Sequence, residues 1–109
     1  MKDERKKNNA IKYEAAFQKV GEGVSFWYRG GRITLFEDCF VLSILGITRI
    51  EVSYKEILTI QKERYNLNNC ITVYCVAYRI YIRVSASNRD KVFDELQRRM
   101  RSSWNSNEI

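Results

Sequence analysis

Four arginines sit where a chain of short strands would turn. Arg29 and Arg32 bracket Gly30–Gly31, Arg49 follows "LGIT", and Arg79 follows "AY". A guanidinium is planar and always charged, and its fork of donors matches the oxygens of a phosphate or carboxylate. Ile47 stands in the "LGIT" segment, so an apolar tip lies among these cations. Phosphates at the surface of an anionic layer with an apolar interior would suit that combination. The plain alternative is solvated arginines and an isoleucine folded inward.

Other chemistries are poorly served. The sequence contains no histidine, which removes Ser-His and Cys-His nucleophile pairs. Glu37 and Asp38 are neighbours in an expected turn, where solvation is the simpler role for two carboxylates. "GEG" and "RGGR" are rich in glycine, yet neither opens a helix as a phosphate-binding loop does. Cys39, Cys70 and Cys75 fall within expected strands and form no C-x-x-C pair, so they read as small buried apolar residues in a reducing compartment. No catalytic residue, metal or cofactor is expected.

The elements that would position the arginines follow from periodicity. The chain has 109 residues, 45% of them apolar, enough for one domain with a modest core. Residues 1–9 read as a basic, solvated arm, 10–104 as the domain and 105–109 as a tail. Tyr13, Ala16, Phe17 and Val20 recur at helical spacing, which predicts a short helix over 10–20 ended by "GEG".

Period two then takes over. Strands are expected at 24–28, 32–36, 39–45, 49–54, 57–63, 70–76 and 78–84, with "RGGR" as a hairpin turn. "SNRD" (87–90) reads as a capping box on a final helix, with Ser87 as its cap. Val92, Phe93, Leu96 and Met100 form the apolar stripe of that helix, and Arg98, Arg99 and Arg101 suit its negative end. Trp27 and Trp104 read as core or helix-seam residues. The expected fold is mainly β, a bent antiparallel sheet sealed by the C-terminal helix, because a meander must hide its edges.

Several segments resemble the GRAM branch of the pleckstrin-homology superfold. "YEAAFQKV" (13–20) is similar to the aromatic-spaced lead-in of these domains. "GRITLFEDCFVLSILG" (31–46) resembles their strand, acidic turn, second strand and following glycine. "IEVSYKEILTIQKE" (50–63) and "SNRDKVFDELQRRM" (87–100) resemble the fifth-strand segment and the start of the closing helix, as in sterol-transfer and membrane-contact proteins. The similarity spans roughly residues 13–104 and lacks the usual proline-containing stretch before the first hairpin. It implies a seven-stranded antiparallel barrel closed by a C-terminal helix, and phosphoinositides or phosphatidylserine as candidate ligands.

On an up-and-down meander, the 29–31, 46–48 and 77–78 turns share one end. Arg29, Arg32, Ile47, Arg49 and Arg79 would then gather on one rim facing anionic lipid head groups, while Glu37, Asp38, Lys55 and Glu56 give the other end mixed charge. The net charge of +6 favours anionic partners without selecting one. Arg79, Tyr81 and Arg83 share a face that is either solvated or open to a partner. The expected location is cytoplasmic, peripheral at a membrane surface. A protein partner bound along the fifth strand and helix is the alternative. Nucleic acid is not expected, since no RNP-type motif is present.

Overall fold

The computed structural model of the chain describes residues 10–21, 26–65 and 68–105. The expected arm over 1–9, most of "GEG", the first half of the strand expected at 24–28 and the last residues of the tail lie outside them.

Alternation governs the segment predicted to be a helix. Ile11–Val20 is a strand, β1, in which Ala15 and Phe17 are buried while Lys12 and Glu14 are exposed. The segment satisfies both periods: Tyr13 and Phe17 serve a helical stripe and also sit on one face of a strand. Tertiary pairing decides between them, because β1 is the central strand and has a hydrogen-bonded neighbour on each side. Of the strand expected at 24–28, Phe26 and Trp27 are irregular and Tyr28 opens β2.

The remaining elements lie close to where the sequence places them. They are β2 (Tyr28–Leu35), β3 (Cys39–Ile44), β4 (Ile47–Ser53), a 3-10 turn at Tyr54–Glu56, β5 (Ile57–Tyr65), β6 (Asn68–Cys75), β7 (Arg79–Arg83) and a helix, α1 (Ala86–Asn105). All strand pairs are antiparallel, and the order across the sheet is β4-β3-β2-β1-β7-β6-β5. β1 joins two three-stranded meanders. Its first part pairs with β2 (Ile11 opposite Leu35) and its second with β7 (Ala16 opposite Arg83, Val20 opposite Arg79).

The sheet does not close into the barrel expected from the sequence. Among the described residues, β4 and β5 each pair with a single neighbour. Coverage replaces closure: α1 packs on the 3-10 turn, β5 and β6, and the β4 edge carries the exposed charges of Arg49 and Glu51. One core lies between sheet and helix. Phe17, Ile33, Leu35, Phe40, Leu42, Ile71, Ile80 and Ile82 supply it from the strands, Val92 and Leu96 from α1, and Phe93 and Met100 pack against it. Fully burying a side chain of this size contributes roughly 1.5–3 kcal/mol. Trp104 is exposed, contrary to its expected place in the helix seam.

Two local expectations change. The cap of α1 is Ser85, whose carbonyl accepts from the amides of Asn88 and Arg89, and Ser87 lies within the first turn. The capping box is found instead at the 3-10 turn, where the Ser53 side chain accepts from the Lys55 amide and Glu56 Oε1 accepts from the Ser53 amide. Cys39, Cys70 and Cys75 are free and buried. Cys75 belongs to the core while Cys70 lies on the other face of β6, as their odd spacing requires.

Candidate functional site

"RGGR" forms the interior of β2 and not a turn. Tyr28 pairs with Phe17 and Gly31 with Ala15, so Arg29 and Gly30 together stand opposite the single residue Ala16. This is a β-bulge, and Gly30 takes the φ of 70° that such an irregularity favours in glycine. Gly31 is required for a different reason. A Cβ there would meet the Ser43 carbonyl oxygen at 2.6 Å, Ile44 Cδ1 at 2.7 Å and Phe17 Cε2 at 2.9 Å.

The bulge sets the direction of two cations. On a regular strand, residues three apart face opposite sides. With one residue inserted between them, Arg29 and Arg32 line the same cleft. That cleft, of about 1140 Å³, is bounded by β1, the middle of β2, the β3–β4 tip, Asn68–Asn69 and the junction from β7 into α1. Its cationic side chains are Lys12, Arg29, Arg32, Arg83 and Arg89, and Glu14 is the only acidic residue among the described lining.

The N-terminus of α1 faces the same space. Ser85, Ala86, Asn88 and Arg89 all line the cleft, and the first turn of the helix carries no acidic residue. The amides of Ala86 and Ser87, which precede the first bonds to the Ser85 carbonyl, and the positive end of the helix dipole therefore add to the field of the five cations. An anion bearing several oxygens fits this arrangement. Backbone amides and forked guanidinium donors together can hold it, while Asn69 and Ser43 offer further polar contacts at the walls.

The arginines expected on one rim are divided by the fold. Arg29 and Arg32 enter the cleft with the β3–β4 tip, which brings Leu45 and Gly46 to its border. Ile47 is exposed beside that tip, directly across the hairpin from Ile44. Arg49 turns away, with its guanidinium 5.8 Å from the centre of the Tyr28 ring, which is itself stacked on Phe17. Arg79 sits at the far end of β7 from Arg83, opposite Val20, and its Nε donates to the Tyr81 hydroxyl at 2.7 Å. The 77–78 turn accompanies it there, packed against Gly21, with Lys19 over the Tyr78 ring. The expected rim of three turns thus reduces to two segments of chain.

Lys12, Arg83 and Arg89 were not anticipated as partners of Arg29 and Arg32. Their convergence depends on β1 being a strand. Only then does β7 lie beside it and deliver Arg83, with the helix start just beyond, to the flank of β2.

Burial governs the other reactive groups. Burial pushes the Cys70 thiol up against a small opposing effect of Arg83, and burial likewise raises Cys75. Neither favours the nucleophilic thiolate. Tyr54 is held above the usual phenol range by burial and donates to the Phe36 carbonyl. No group of three or more metal-ligating side chains is found among the described residues, and no described helix is long and apolar enough to cross a membrane. Comparison with models of known protein families and with curated proteins finds no match.

Proposed function

We propose that the chain is a non-catalytic module of the GRAM or pleckstrin-homology type that docks on anionic membranes and holds a phosphate-bearing head group in the cleft. One observation carries the reading: five cationic side chains and a helix N-terminus face one cleft with a single carboxylate among its described lining. The fold part of the proposal takes the open seven-stranded sheet with its covering helix as a PH-like, half-closed barrel. The strand order, the single C-terminal helix and the resemblance of residues 13–104 support it.

A peptide along the β5–α1 edge is the competing partner, and the exposed Leu58 on the edge strand β5 would suit it. Lys62 argues against it. Its Nζ holds Asp90 at 3.0 Å and stands 5.0 Å from the centre of the Phe93 ring, so the side chain already bridges strand and helix where a peptide would lie.

Vesicle co-sedimentation tests the proposal. Binding should increase with phosphatidylserine or phosphoinositide content and weaken with added salt. With each cation near an anionic surface worth about 1 kcal/mol, Arg29→Glu/Arg32→Glu should bind at least about tenfold more weakly. Arg79→Glu, which alters a residue outside the cleft, should matter less. Equal binding by all three proteins would refute the cleft as the lipid site.

A further inference from the structure

Resting on the membrane reading above, we propose that Leu45, at the apex of the β3–β4 hairpin, inserts into the acyl layer of the bilayer and makes docking sensitive to lipid packing as well as to charge. The hairpin closes through two residues, since Ile44 pairs with Ile47. Leu45 has φ 52° and Gly46 φ 79°, so both central positions are left-handed, as in a type I′ turn. The first of these positions strongly favours Asn, Asp or Gly, and a leucine there is strained. Leu45 is the one described residue other than glycine with a positive φ.

Packing within the fold does not offset that strain. Leu45 is 91% exposed, the highest value among the large apolar side chains of the described residues. A residue that is both strained and solvated is poorly suited to stability, and strain of this kind concentrates at binding sites. Its surroundings indicate the partner. Ile47, next to it across the turn, is 56% exposed, and the hairpin lies along the segment of β2 that presents Arg29 and Arg32.

An apolar apex with guanidinium groups set behind it matches the layering of an anionic bilayer, with phosphates above and hydrocarbon below. A protein groove would demand a broader complementary surface than two protruding side chains provide. A bilayer accepts a single side chain wherever its packing is loose.

The experiment compares wild type with L45N, which places the preferred residue at the first turn position. Thermal melting and binding to two vesicle preparations of equal phosphatidylserine content are measured. One preparation is dioleoyl and loosely packed, the other tightly packed with saturated chains and cholesterol. L45N should melt higher by about 4 °C as strain is relieved. It should bind the loose vesicles about tenfold more weakly than wild type, since the apolar transfer is lost. The preference for loose packing, present in wild type, should largely vanish in L45N.

Wild-type binding that L45N retains in full would overturn the insertion while leaving the cationic cleft in place. Absence of wild-type binding to any anionic vesicle would overturn the membrane reading and the insertion with it. Self-association of wild type in light scattering, lost in L45N and unaccompanied by a packing preference, would make the apex a contact between copies and likewise overturn the proposal.

Discussion

Arg99 and Tyr54 share one acceptor. The Arg99 guanidinium donates to the Phe36 carbonyl at 2.7 Å, and the Tyr54 hydroxyl donates to the same oxygen at 2.8 Å. A second bond from Arg99 reaches the Leu35 carbonyl, and the Tyr54 amide donates to Asp38. The turn between β2 and β3 is thereby fastened to both the helix and the 3-10 turn. Arg99 is 7% exposed, although its place near the end of α1 suggests a solvated cation.

Removing this arginine should be costly. Arg99→Met keeps much of the apolar stem but takes one donor from each of the Leu35 and Phe36 carbonyls and the buried cation from beside the Glu95 carboxylate, and should destabilise the fold by about 3 kcal/mol. Tyr54→Phe leaves the Phe36 carbonyl with one donor and should cost about 1 kcal/mol. Urea unfolding of both variants checks the order. A smaller loss for Arg99→Met than for Tyr54→Phe would contradict the clamp.

The paired glycines of β2 should respond differently to alanine. Gly31→Ala drives a methyl group into the Ser43 carbonyl, Ile44 and Phe17, and should cost about 2 kcal/mol or more. Gly30→Ala meets nothing within 4 Å, so its cost is the left-handed φ alone, about 1 kcal/mol. Thermal melting should rank wild type above Gly30→Ala and Gly30→Ala above Gly31→Ala.

Stability should decline in acid through Glu95. Burial pushes its carboxyl up, but hydrogen bonds from Arg99 and Arg98 prevail and hold it below the ordinary value of 4.5. A carboxyl lowered in the folded state contributes its full stability above the unfolded value and loses it as pH falls through the folded value. The urea midpoint should therefore be level above about pH 5.5 and fall as the pH drops below 4.5. Glu95→Gln should be less stable near neutrality and show a shallower decline. A Glu95→Gln curve parallel to wild type would rule out this carboxyl as the source.

Much of the fold could be read from alternation. β3 through β7 are expected within a few residues of where they lie, β3 as a strand apolar on both faces and β4 and β7 from the alternation of apolar and polar positions, and the stripe of Val92 and Leu96 marks α1. β1 reads as a helix in the sequence because Tyr13 and Phe17 satisfy two periods, and only its neighbours select one. The glycines of "RGGR" signalled an irregular backbone. They could not distinguish a turn from a bulge, because both use a left-handed glycine. Arg29 and Arg32 were recognised as a pair, whereas their association with Arg83 and Arg89 depends on which strand lies beside β1. Arg79 shares its sequence signature with Arg83, but four residues along β7 carry it away from the cleft.

The ladder between β1 and β7 has a consequence for assembly. β2 with β3 and β4, and β5 with β6 and β7, can each zip up from local hairpins, yet the seam at Ala16–Arg83 joins residues far apart along the chain. Closing it carries the largest loop entropy in the molecule, so the seam is expected to form last and to set the pace of folding. Until it does, the inner margin of β1 remains an unsatisfied row of amides and carbonyls. A nascent chain held at that stage would be at its most vulnerable to capture by a neighbour of its own kind.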